Sequence, residues 1–289
     1  MIYFATPCYA GELSAPYVHS MFELFRDMMS NPQTRGWGYH WNKEFWDSLI
    51  PRARNMCVAD MMLKQPFDPI SGKHRKFTHL VFVDADIAFK PEAFYRMIMA
   101  DREVCTGIYP KKTMPPKYVI NFKTNEMKVE DGVCALRDAG TGFMCIKREV
   151  FERMKPKEVD PAKLACMGTE SGVDVLNFFR DTPFKIAPTV FWSEREFHEP
   201  EDREYKDAFA AEYYSYFDTS IECFQDGHWA GLGGDYLSED YTFCRRVQAF
   251  GLDVWFDPYI KLDHIGKWRF EGDVSQLLEP IPAAKVAAE

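Results

Sequence analysis

The chain opens with an unbroken apolar run, Ile2-Tyr3-Phe4-Ala5, closed by Thr6-Pro7. A short run of this kind, ended by a turn residue, predicts a buried strand over 2–5 followed by a turn. Apolar residues then recur at helical spacing: Tyr17, Val18, Met21, Leu24, Phe25 and Met28, with Ser14 placed to cap the helix and Pro16 in its first turn. Residues 31–47 lose that period. Rich in Gly, Asn, Trp and Tyr, they predict an aromatic loop. A helix is expected from near Pro51 through Leu63, then a polar loop over 64–77. The most apolar strand follows, from Thr78 to Val83, and ends in Asp84-Ala85-Asp86.

Pro91 through Met99 predicts a helix, and Glu103 through Tyr109 a strand. The alternation of strand and helix over 1–110 implies a largely parallel, doubly wound sheet. After Pro110 the pattern changes. Tyr118–Phe122, Met127–Val129 and Val133–Leu136 are short strands separated by Asn, Asp and Gly, as in an antiparallel meander. Gly140-Thr141-Gly142 leads into a strand over Phe143–Ile146 and a helix from Arg148 to Met154. Between 155 and 235 the pattern is weaker: a strand near Lys185–Val190, a polar acidic stretch at 194–207 and a Gly-rich turn over Gly227–Gly234. Ser238 is placed to cap a helix that ends before Gly251, and strands at Asp253–Phe256 and Ile260–His264 close the fold. The Ala-rich end after Pro282 reads as a loose tail. There is no internal repeat.

Composition narrows the classes. Of 289 residues, 46% are hydrophobic and 27% charged, which fits a globular chain and excludes disorder. Asp and Glu outnumber Lys and Arg, 44 to 35, giving a net charge of −9. Such a chain has no overall field drawing it to nucleic acid or anionic lipid. No apolar run approaches the ~20 residues of a membrane helix, and the N-terminus reads as a strand rather than a signal peptide. No two of the eight cysteines stand within four residues of each other, so zinc and redox spacings are excluded. Reduced, buried thiols in a cytoplasmic protein are expected.

Four groups of residues can carry chemistry. Asp84 and Asp86 lie at the end of the buried strand, where ligands bind in open α/β sheets, and two carboxylates there suit Mg²⁺ or Mn²⁺. The plainer account is one capping Asp and one solvated Asp. Arg54 and Asn55 stand one turn into a helix whose start favours anions, and the Arg fork suits a diphosphate. The plainer account is a surface Arg beside Arg52. Glu239 and Asp240 open a helix, where the dipole alone explains acids, or where one of them serves as a general base. The segment before them, with Trp229 among four glycines, reads either as a lid with an aromatic platform or as a rigid turn. His264 gains meaning only in combination with the acids. The clusters Arg52/Arg54, Lys73/His74/Arg75/Lys76 and Lys111/Lys112 read as solvated faces.

The order of these pieces is more specific than any one of them. A strand ends in Thr-Pro, a helix starts with Ala53-Arg54-Asn55, and an apolar strand ends in Asp-x-Asp. A Gly-x-Gly strand with Lys147-Arg148-x-x-Phe151 follows, then a Glu-Asp helix start and a late His-x-Gly. This resembles the A-type fold of nucleotide-sugar glycosyltransferases, most closely family 2, over most of 1–270, with 155–235 unmatched. The resemblance implies a single Rossmann-like α/β domain over 1–272 with a mixed, mainly parallel sheet flanked by helices. Within it, 1–110 would bind nucleotide and 111–272 acceptor, leaving 273–289 as a tail. It further implies that Thr6, Pro7, Tyr9, Arg54, Asn55, Gly142 and Trp229 lie around a UDP- or GDP-sugar. Asp84 would face the ribose or metal, Asp86 would hold Mn²⁺ or Mg²⁺ with His264 as a further ligand, and Asp240 or Glu239 would activate the acceptor hydroxyl. The second-strand Asp or Glu that often reads the base in such enzymes is not identifiable in 31–47.

The expected activity is metal-dependent transfer of a sugar to an acceptor hydroxyl, with inversion if the acid sits opposite the leaving group. A retaining enzyme or a non-catalytic nucleotide- or glycan-binding module of the same fold are alternatives. A sugar-1-phosphate nucleotidyltransferase wants a basic Gly-rich loop after the first strand, and Pro7-Cys8-Tyr9-Ala10-Gly11-Glu12 has no Lys or Arg. The acceptor stays open among glycan, protein, small molecule and modified DNA base.

Overall fold

A computed structural model describes residues 1–9, 11–45, 47, 49–68, 72–118, 120–123, 128–154, 216–217, 222–225, 228–231 and 238–277. The elements are β1 (Ile2–Cys8), α1 (Ala15–Ser30), β2 (Tyr39–Phe45), α2 (Ile50–Leu63), β3 (Phe67–Asp68), β4 (Lys73–His74), β5 (His79–Val83), β6 (Ile87–Phe89), α3 (Pro91–Met99) and β7 (Val104–Thr106). There follow β8 (Asn121–Phe122), β9 (Val129–Glu130), β10 (Val133–Asp138), β11 (Phe143–Lys147), α4 (Arg148–Met154), β12 (Glu222–Gln225) and β13 (His228–Gly231). The chain continues through α5 (Glu239–Ala249), β14 (Val254–Phe256), β15 (Lys261–Ile265), β16 (Arg269–Asp273) and a 3-10 turn (Val274–Leu277).

The central sheet has nine strands in the order β2-β1-β5-β11-β7-β14-β10-β8, with β9 on β10. β10 and β11 run against the other strands, so the sheet is mixed and mostly parallel in direction. Side chains alternate across it. Ile2, Phe4, Val81 and Val83 pack with Met21, Leu24 and Phe25 of α1 and Phe94 of α3. Tyr3, Ala5, Leu80 and Phe82 face the other layer, with Val58 and Met61 of α2, Phe151 of α4, and Phe243 and Val247 of α5. That period of two is what lets one strand serve two cores.

Several sequence expectations are corrected. β1 does not stop at Ala5; Thr6 and Pro7 are paired with Lys43 and Glu44 of β2. The Ile2 N–H donates to Gly38 on the β2 side, so by alternation the Pro7 nitrogen faces β5, whose pairing ends at Ala5. Proline therefore removes no ladder bond there. The expected aromatic loop over 31–47 contains β2, a parallel edge strand held by stacking of Tyr39 on Phe25, 4.3 Å between centroids. Segment 228–231, read as a turn, is a strand paired with 222–225. The expected tail begins too early: β16 runs to Asp273 and Val274 is fully buried. The strand expected at Lys185–Val190, the stretch 194–207 and the end after Pro282 lie outside the described residues.

The strand order positions the site. From β1 the chain steps outward to β2 on one side and later to β5 on the other. The carboxyl ends of β1 and β5 thus flank the crevice where such a reversal leaves room for a ligand. A second sheet, β16-β15-β6, crosses that end, so His264 of β15 lies opposite Ile87, next to the Asp-x-Asp turn.

Candidate active site at the carboxyl end of the sheet

The Asp84-Ala85-Asp86 turn is fixed by its own backbone. Asp84 N–H donates to Gly142 O (2.9 Å) and Asp84 O accepts from Ile87 (3.0 Å). Ala85 O accepts from Ser14 N–H at the start of α1 (2.9 Å), and Asp86 O accepts from Ile265 (2.8 Å). Four elements therefore hold the two carboxylates in place before any ligand arrives.

Arg54 is 4% exposed, so it is no surface residue of the Arg52 cluster. Its Nη2 donates to Asp84 Oδ1 at 3.1 Å, its Nε lies 3.8 Å from Glu239 Oε1, and the guanidinium sits over the Phe82 ring, 5.0 Å from its centroid. Burial works against the charge, but Asp84 and Glu239 outweigh it and raise the Arg54 pKa. Nε and Nη1 are nevertheless buried without a hydrogen-bond partner. A buried guanidinium with two idle nitrogens is costly unless something accepts from them.

Glu239 and Asp240 both reach the site from the first turn of α5. Burial pushes the Glu239 carboxyl up; Arg54 lowers it and Asp240 raises it, leaving it above the usual carboxylate range. Asp240 Oδ1 accepts from its neighbour Tyr241 N–H (2.8 Å) and from the Ser238 hydroxyl. Ser238 occupies the cap position, but its hydroxyl engages Asp240 rather than the helix backbone.

Asp86 faces the other side of the turn. His264 Nε2 lies 3.4 Å from Asp86 Oδ2, and Lys112 Nζ 2.6 Å from the same oxygen. Burial raises the Asp86 pKa, but the hydrogen bonds and charges of His264 and Lys112 prevail and hold it below the usual carboxylate range. His264 Nδ1 is 2.9 Å from Pro110 O, which fixes the ring with Nε2 towards Asp86. Asp84 is thus paired with arginine, and Asp86 with histidine and lysine. Among the described residues no group of three or more His, Cys, Asp or Glu is arranged to hold a metal ion.

The other expected residues fall in different places. Asn55 is 2% exposed; its carbonyl accepts from Tyr216 and Phe217 N–H (2.8 and 3.0 Å) and its amide donates to Phe217 O (2.8 Å). It pins that segment, with both carbonyl lone pairs and one of its two amide N–H groups engaged. Thr6 is fully buried, its hydroxyl bonded to Tyr17 and receiving Trp41 Nε1 at 3.2 Å. Pro7 is buried in β1, whereas Tyr9 is 65% exposed just beyond it. Trp229 lies in β13.

Gly142 does its work through Tyr109, which sequence reasoning missed. Gly142 N–H donates to the Tyr109 hydroxyl (3.3 Å), and a Cβ at Gly140 or Gly142 would lie 2.6 or 2.7 Å from the Tyr109 side chain. The same Cβ at Gly140 would be 3.7 Å from Asp240 Oδ2, so phenol and carboxylate face each other across that glycine. The Tyr109 ring also meets the His264 ring edge-on, 5.2 Å between centroids. Burial first, and then Asp84, drive its pKa up, so the phenol stays protonated. The available signal was the Gly-x-Gly itself, which implies a bulky neighbour. Lys112, read as a solvated charge, was the other omission.

A groove of about 1940 Å³ between α1, α3 and the β15–β16 hairpin is lined by none of these groups. The side-chain cluster, not the groove, locates the chemistry.

No protein-family model matches this chain. No curated protein matches it either. One similar solved structure is the crystal structure of A197 from STIV, at 19% identity over 54% of this chain and 69% of that one, with a TM-score of 0.33. A likeness that low carries no argument, and the fold rests on the topology above.

Proposed function

We propose that this protein is a metal-dependent glycosyltransferase that moves a sugar from a nucleotide-sugar donor, a UDP- or GDP-sugar, to an acceptor hydroxyl with inversion. The observation that carries the reading is Arg54: a buried guanidinium with two nitrogens, Nε and Nη1, lacking hydrogen-bond partners, beside the Asp84 and Glu239 carboxylates, at the strand ends where an α/β sheet binds ligands. A diphosphate supplies the acceptor oxygens those groups lack.

Asp86 and His264 fit a divalent cation, because a hard carboxylate and an imidazole oriented by a backbone carbonyl converge on one point. A cation held there supplies positive charge against the negative charge that develops on the departing diphosphate. Arg54 adds a second, permanent charge. Glu239, whose carboxyl is raised by burial, accepts the proton of the acceptor hydroxyl, with Asp240 as its alternative. Tyr109 keeps the glycine turn and His264 in register. No helix among the described residues is long and apolar enough to cross a membrane. Six free, buried cysteines among the described residues support a reducing, cytoplasmic setting.

One observation favours a second reading, a nucleotide-binding module without turnover: both strand-end carboxylates already have cationic partners. The test that separates the two is calorimetry of a panel of sugar nucleotides with and without Mn²⁺, followed by product analysis. Metal-dependent binding with glycoside or free sugar formed supports the transferase. Binding without any product supports the module, and no binding removes both. Asp86→Ala is expected to abolish the metal-dependent part while leaving the fold intact. Unchanged metal-dependent affinity in that folded variant refutes the role given to Asp86.

A further inference from the structure

Lys112 stands on a seven-residue exposed segment, 111–117, whose base is closed twice: Lys111 N–H donates to Lys117 O (2.7 Å), and Pro110 bridges Tyr118. The base is also fixed to β16, since the Tyr118 hydroxyl accepts from Asp273 N–H (2.8 Å). Its stem lies against the β15–β16 turn, where a Cβ at Gly266 would be 3.1 Å from Lys112 Cδ. The loop is therefore anchored at its ends and carries one ammonium to Asp86 Oδ2, at 2.6 Å. That oxygen is also the one His264 Nε2 faces. An ammonium and a divalent cation cannot both occupy the near side of one carboxylate oxygen without strong repulsion.

We infer that Lys112 is a tethered counter-charge that competes with the divalent cation for Asp86 and is released to the donor diphosphate when metal and nucleotide bind together. The inference rests on the metal site of the proposed function. It makes free metal bind weakly and couples metal binding to the arrival of an anionic donor. With metal alone, the Lys112–Asp86 pair must break without replacement. With a nucleoside diphosphate present, the freed ammonium finds phosphate oxygens at the same strand ends, so the loss is offset.

The experiment is Mn²⁺ titration of the full chain by calorimetry, with paramagnetic resonance of free Mn²⁺ as a second readout, in wild type, Lys112→Gln, Lys112→Arg and Asp86→Asn. Lys112 is exposed, so its variants are expected to fold. Without nucleotide, Lys112→Gln should bind Mn²⁺ roughly fivefold tighter than wild type, the order of a partly exposed ion pair, and Lys112→Arg should remain weak. With UDP added, that advantage should disappear, since the variant has no cation to give to the diphosphate. Equal or weaker Mn²⁺ affinity in Lys112→Gln overturns the competition while leaving the metal site standing. Undetectable Mn²⁺ binding in every variant, with UDP affinity indifferent to chelator, overturns the metal site and the competition together.

Discussion

Arg54 shows how one residue concentrates the chemistry of the site. Its guanidinium is buried over Phe82, tied to Asp84, close to Glu239, and left with two nitrogens, Nε and Nη1, unanswered. Arg54→Lys keeps the charge but loses the planar fork, so only one of those contacts can be remade. Metal-dependent UDP affinity is expected to fall about tenfold or more by calorimetry, the scale of one lost charge-assisted hydrogen bond; wild-type affinity in a folded Arg54→Lys would remove the diphosphate from this position. The neighbouring acids divide differently. Glu239→Gln removes the proposed base, and turnover should drop about 10²–10⁴-fold with donor affinity little changed. Asp240→Asn serves as the comparison, because its Oδ1 is engaged by Ser238 and Tyr241. If neither variant slows turnover, the base assignment fails and a retaining mechanism becomes the better account.

At the scale of elements, α2 owes its place to Asn55 as much as to its apolar face. Asn55 closes three hydrogen bonds to the backbone of residues 216 and 217, whose Phe217 ring stacks on Phe243 of α5 at 4.5 Å. Asn55→Ala leaves buried peptide groups unpaired, and urea unfolding should show a loss of about 2–4 kcal/mol; a change under 0.5 kcal/mol, roughly the level of a surface substitution, would mean the contact is incidental. α1 was legible because its cap Ser14, first-turn proline and helical spacing agree, α3 because Pro91 opens it, and β5 because its apolar run is long and ends in acids. β2 was not, because the edge strand Tyr39–Phe45 mixes polar and aromatic residues and gains its order from Phe25 and β1. Asn55 looked like a ligand contact because nothing local reveals a partner 161 and 162 residues away. Tyr109 and Lys112 escaped for the same reason: their roles exist only once β15 has been laid against the Asp-x-Asp turn.

Across the whole molecule, the two ends of the sheet carry different loads. The carboxyl end gathers the buried charges of the site, while the amino end is a junction where β1, β5 and β11 meet at His79. That histidine pairs with Ile2 on one side and Lys147 on the other, and its Nδ1 lies 2.9 Å from the Thr78 hydroxyl. Burial first, then the charges of Lys147 and the N-terminal amine, push its pKa from 6.5 down to about 4, with Asp101 pulling the other way. Between those two values the unfolded chain takes up a proton that the folded chain refuses. The stability tied to His79 is therefore complete above about pH 6.5 and is lost as pH falls towards about 4. Carboxylates titrate in the lower part of the same window, so the informative quantity is a difference between proteins. His79→Gln keeps a polar side chain beside Thr78 and removes the titration. Urea midpoints measured from pH 7.5 to 4.5 should fall less steeply for His79→Gln than for wild type, with the two curves converging or crossing as pH drops. Because His79 lies at the opposite end of β5 from Asp84 and Asp86, metal-dependent nucleotide affinity at pH 7.5 should be unaltered in the same variant. Parallel urea curves would show that His79 takes up its proton equally in both states, and the burial argument would then fail.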